Sequence, residues 1–69
     1  MVEVFKTNVA KAEHAQEIVF ALQQYFPGSR VTIDLEDCDR VLRVEARVVS
    51  IEKIIQLVQS ADYECVLMN

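Results

Sequence analysis

The stretch Arg30–Val48, RVTIDLEDCDRVLRVEARV, decides how the rest of the chain is read. Val31, Ile33 and Leu35 alternate with Thr32, Asp34 and Glu36, the period-two pattern of a strand with one covered face. After the polar cluster Glu36, Asp37, Cys38 and Asp39 the alternation resumes. Leu42, Val44, Ala46 and Val48 are expected inward, and Val41, Arg43, Glu45 and Arg47 outward. Two such runs joined by a short polar turn predict a β-hairpin. On its open side Asp34 and Glu36 are expected to face Arg43 and Arg40 in pairs worth roughly 0.2 to 1 kcal/mol each.

Outward from the hairpin the period changes to that of a helix. On the N-terminal side Ala15, Ile18, Val19, Leu22 and Phe26 recur at helical spacing, with Lys11, Glu13, Gln16, Glu17, Gln23 and Gln24 on the other side. This predicts an amphipathic helix beginning at Lys11 and stopped by Pro27 and Gly28. On the C-terminal side Ser50 is a natural N-cap for a helix that buries Ile51, Ile54, Ile55 and Val58 and ends near Ser60. Glu52 stands in its first turn, where the helix dipole favours a negative charge. Outside both helices lie Val2–Thr7, rich in Val and Phe, and the alternating run Tyr63–Asn69, each read as a strand.

The order is therefore strand, helix, strand, strand, helix, strand. Two helix stripes and one face of a four-stranded antiparallel sheet bury one another most economically in an α+β, ferredoxin-like βαββαβ sandwich, with both helices on one face and strands one and three central. This order brings the end of the first strand, the start of the first helix, the turn Asp37–Asp39 and the turn before Tyr63 to one end of the sheet. A site, if the fold has one, is expected there.

Size and charge narrow the functional classes. Sixty-nine residues form one domain, residues 1–69, near the lower limit for a single unstapled core. A hydrophobic share of 52% with one Gly and one Pro fits a chain dominated by regular structure. A net charge of −4 argues against nucleic acid, whose phosphates call for a field of Lys and Arg, and against anionic membranes. No apolar run approaches the roughly 20 residues of a membrane span, and MVEVFKTN lacks the features of a signal peptide, so the default location is the cytoplasm. Cys38 and Cys65 form no Cys-x-x-Cys pair. They read as a free thiol in a turn and a small core residue.

The whole chain resembles the heavy-metal-associated domain, the ferredoxin-like module of copper metallochaperones and of the N-terminal parts of metal-pumping ATPases. In that family the first strand runs into a Met-x-Cys-x-x-Cys loop, followed by an Ile or Val and then a Leu at four-residue steps. Ile18 and Leu22 match the two helix positions. Val9 stands at the Met, Lys11 at the first Cys and His14 at the second, while Asp62 and Tyr63 replace the family's Gly and aromatic pair before the last strand. The resemblance thus implies the scaffold of a metallochaperone with its metal motif absent. Lys11 is a cation and repels the ion that a thiolate would hold.

Two metal candidates remain, His14 and Cys38. Cys38, flanked by Asp37 and Asp39, could join His14 in a mixed set suited to Zn2+. The alternative is structural, with His14 a partly buried residue at a helix start and Asp37 to Asp39 a solvated turn capped by Asx hydrogen bonds. No catalytic constellation and no phosphate loop is present, so an enzyme and a resident cofactor are not expected. The first expectation is a non-enzymatic interaction or regulatory module. It would bind a protein partner or form a homodimer through its acidic turn end, its open sheet face with Val2, Val4, Val41, Val66 and Met68, or a sheet edge. The second is a metal-binding or transport protein of unusual ligation. A third, an ACT-like small-molecule regulatory domain, shares the element order but usually calls for a glycine at the first turn, and the one glycine here is Gly28.

Overall fold

A computed structural model describes residues Met1–Met68; Asn69, the end of the last expected strand, lies outside the described residues. The elements are β1 (Val2–Thr7), α1 (Ala12–Tyr25), β2 (Arg30–Asp34), β3 (Val41–Glu45), α2 (Ile51–Ser60) and β4 (Cys65–Leu67). All strand pairs are antiparallel and the order across the sheet is β2-β3-β1-β4, the ferredoxin-like arrangement with β1 and β3 in the centre.

The alternation read from the hairpin sets the core. Phe5 of β1, Val31 of β2, Leu42 and Val44 of β3 and Cys65 of β4 turn to one face, where Ala15, Ile18 and Leu22 of α1 and Ile54 and Val58 of α2 cover them. α1 lies over β2, α2 over β4, and the helices touch each other. Ser50 caps α2 as expected, its Oγ accepting from the Lys53 N–H at 3.3 Å. Past the end of α1, Gly28 takes φ +83°, a left-handed conformation that suits glycine.

Three strand ends differ from the sequence reading, each for a local reason. β2 stops at Asp34, before the alternation ends at Leu35 and Glu36, because the Asp34 carboxylate accepts from the Glu36 N–H at 3.0 Å and turns the chain. β3 stops at Glu45. Its last ladder position, Glu45, lies opposite Val2, and Ala46 exchanges backbone hydrogen bonds with Met1 at 2.7 and 3.0 Å. Past that end Val48 is 75% exposed instead of inward, and Val49 packs against the core in its place. β4 begins only at Cys65, since the Tyr63 N–H is held by Val58 O and the Glu64 N–H by the Asn8 side chain.

The expected charge pairs across the hairpin also do not form. The register sets Asp34 opposite Val41 and Thr32 opposite Arg43. The one ion pair among the described residues links Lys6 Nζ to Asp39 at 3.5 Å, from β1 to the turn.

Cys65 is 4% exposed, and burial pushes its thiol up to about 11. It stays neutral and unreactive at physiological pH. Below pH 9.0, its ordinary value, the thiol is protonated folded or unfolded, and its contribution to stability is fully present. As pH rises toward 11 only the unfolded chain gives up the proton, so stability falls. Urea unfolding across this window should show the wild type losing on the order of 2 kcal/mol more than Cys65→Ala. Parallel pH profiles for the two proteins would refute this account.

Candidate functional site

The end of the sheet singled out by topology is built around Thr7. This is the one buried polar side chain among the described residues, 6% exposed at the last position of β1. Its hydroxyl donates to Arg40 O at 2.7 Å and accepts from the Val9 N–H at 3.3 Å, while its own N–H reaches Asp39 O at 3.1 Å. One residue thus fastens the end of β1, the hairpin turn and the loop into α1. Next to it Asn8 accepts from the Glu64 N–H at 2.8 Å and adds the approach to β4. The four segments expected at this end do converge there.

The loop positions carried over from the resemblance have separate fates. Val9 is fully buried and belongs to the core. Lys11 is the exposed N-cap of α1, with no side-chain cap hydrogen bond, so it neither caps the helix nor complements its positive end. His14 is half-buried and packs against Tyr63, ring centroids 5.8 Å apart and planes tilted by 50°.

Tyr63 is placed by the end of α2. The Asp62 N–H bonds to Gln59 O at 2.9 Å and the Tyr63 N–H to Val58 O at 3.3 Å, the two bonds of a Schellman cap. Such a cap needs a left-handed residue, and Asp62 supplies it at φ +70°. This is the position where the resembled family has glycine.

Arg40 is a participant the sequence did not announce. It adopts φ +46°, unusual for a residue with a side chain, while its N–H closes the turn on Asp37 O at 3.0 Å. Its guanidinium lies 3.5 Å from both Val9 O and Ala10 O. These contacts are long, yet they set a fixed positive charge against the carbonyls of the loop where the resembled family binds its ion. Positive φ leaves little trace in a sequence unless Gly or Asn carries it, and neither does so here.

Cys38 is exposed, and one ligand atom from each of Asp37, Cys38 and Asp39 can be chosen so that all lie within 4.8 Å of one another. His14 is not part of that cluster. The expected Asx hydrogen bond is made by Asp37, whose Oδ1 accepts from the Asp39 N–H at 2.8 Å, whereas Asp39 turns its carboxylate to Lys6. His14 and Tyr63 instead border a cleft of about 160 Å³ between α1 and α2.

No family model, curated protein or solved structure matches this chain.

The hydrogen bonds of Thr7 give a direct test of how this end is held. Thr7→Val keeps the shape but leaves Arg40 O and the Val9 N–H without their partner, and should cost about 1 to 3 kcal/mol in urea unfolding. Thr7→Ser keeps the hydroxyl and should recover most of that. Equal losses in the two variants would mean that the hydroxyl is not what holds this end.

Proposed function

We propose that this chain is a non-enzymatic interaction module on a scaffold of the heavy-metal-associated type, and that it contacts a protein partner through the open face of its sheet. The observation that carries this reading is the arrangement of that face. Across β2, β3, β1 and β4 one row reads Asp34, Val41, Lys6, Val66, and the next reads Thr32, Arg43, Val4, with Met68 joined to Val4 by its N–H at 2.8 Å. Val2 extends the apolar strip to the far end; it is 39% exposed and Val66 is 59% exposed. A mixed strip of valines and isolated charges, with no helix over it, has the composition of a transient interface.

The charges on this face differ from those of the chain as a whole. Lys6, Arg30 and Arg43 outnumber Asp34 and Glu45 here, although the chain carries a net −4. The fitting partner therefore offers an apolar patch with an acidic rim.

Support for a non-enzymatic role comes from the positions of Cys65, Ser50 and Ser60, while Cys38 is an exposed thiol with no histidine in its cluster. Cys65 is buried and held neutral, the Ser50 hydroxyl caps α2, and the Ser60 hydroxyl donates to Leu57 O at 2.7 Å. His14 packs its ring against Tyr63, with no Ser or Cys hydrogen-bonded to it among the described residues. The scaffold assignment draws support from the strand order and from the left-handed Asp62 at the family's glycine position.

A second reading rests on the cluster of Asp37, Cys38 and Asp39. A thiolate with carboxylates suits Zn2+ better than Cu(I), and this reading makes the hairpin turn a metal site. It ranks second because both carboxylates already have partners, Asp37 the backbone of the turn and Asp39 the Lys6 ammonium.

Binding assays on surface variants separate the two. A protein partner captured by the wild type should be lost by Val4→Lys and Val66→Asp and retained by Phe20→Ser, which alters an exposed residue of α1. A partner retained by both sheet-face variants would remove this face from consideration. On the metal reading, calorimetric titration with Zn2+ under reducing conditions should give a saturable signal that Cys38→Ser abolishes. The contact reading expects the same weak response from the wild type, Cys38→Ser and His14→Ala.

A further inference from the structure

On the opposite side of the molecule from the open sheet face, α1 and α2 diverge enough to leave the cleft that His14 and Tyr63 border. Its floor is apolar, formed by the core residues Ile18, Leu22 and Val58. The gap exists because Ala21 on α1 and Ala61 beyond α2 have side chains too short to close it. At about 160 Å³ it matches the cavity size that in other proteins accepts a single benzene ring.

The mouth has a definite chemical character. Glu17 lies on it, and the His14 and Tyr63 rings form an angled aromatic wall at one end. Aromatic faces and a carboxylate both attract an ammonium group. The wider charge pattern acts in the same sense. α1 contains Glu13 and Glu17 and no Lys or Arg from Ala12 to Tyr25. The one lysine of α2, Lys53, is drawn to the far end, where its Nζ stands 4.9 Å from the centre of the Tyr25 ring. An anion would meet Glu17 with no cation in the cleft lining to receive it.

We propose that this cleft is a binding site for a small primary amine with a compact hydrophobic body, of the arylalkylamine class. The apolar body fills the space over Ile18, Leu22 and Val58, and the ammonium lies at the mouth between the Glu17 carboxylate and the Tyr63 ring. This site is in the helical layer and is independent of the sheet-face contact, so either stands without the other.

The test is an NMR titration of the isotope-labelled full chain with 2-phenylethylamine, and separately with 3-phenylpropionate, a similar ring and chain ending in the opposite charge. The amine should give saturable shifts centred on Ala21, Val58 and Ala61, and the carboxylate should not. Glu17→Gln should weaken the amine by about tenfold, the loss of one exposed charge-assisted contact. Ala21→Leu should fill the cleft and abolish the response; Ala21 is exposed, so the variant retains the core, and Ala61→Leu repeats the test from the other wall. Equal responses to amine and carboxylate, shifts that do not saturate, or binding that survives both filled variants would overturn the proposal.

Discussion

The hydroxyl of Thr7 is the constraint on which the loop end of this sandwich depends. A buried polar group has to be satisfied, and Thr7 satisfies itself by joining pieces of chain far apart in sequence, Arg40 on one side and Val9 on the other. With its own N–H on Asp39 O it fixes the height at which the hairpin turn meets the loop into α1. Val9 then drops into the core, α1 starts at a set position, and His14 comes to rest against Tyr63. The geometry of the loop follows from hydrogen bonding at its root.

This has a consequence for the likeness to metal-carrying domains. A loop that delivers an ion has to be exposed, mobile and rich in soft donors. Here Val9 is fully buried, Lys11 points its charge to solvent, and Arg40 holds a guanidinium against the Val9 and Ala10 carbonyls. A permanent side-chain cation stands near where a transported one would be expected. The carboxylates of the acidic turn likewise have partners at the surface, Asp37 its own backbone and Asp39 Lys6.

The two faces of the sandwich differ in what they offer. The sheet presents valines in register with isolated charges that lean positive. The helical layer presents an apolar-floored cleft with Glu17 at its lining and the His14 and Tyr63 rings beside it. In a domain this size both have to be built from residues the core can spare. The cleft uses alanines, and the strip uses the side of the sheet that no helix covers.

The sequence by itself determined the element order, the core face and both helix stripes, because periodicities of two and 3.6 residues are local and one slip would turn a whole face outward. Ser50 as a cap and Gly28 as a stop were legible for the same reason, since their chemistry acts within a few residues. The ends of β2, β3 and β4 were not. Val48 continues a perfect alternation, yet β3 ends at Glu45 and leaves it exposed. Asp34 stood ready for a cross-strand ion pair until the register placed Val41 opposite it. Thr7, Arg40 and the cleft were decided by tertiary structure alone. A threonine in a strand, an arginine after a turn and two alanines carry no pattern of their own, and their roles arise only where packing brings distant backbone groups together that must find partners or leave a gap.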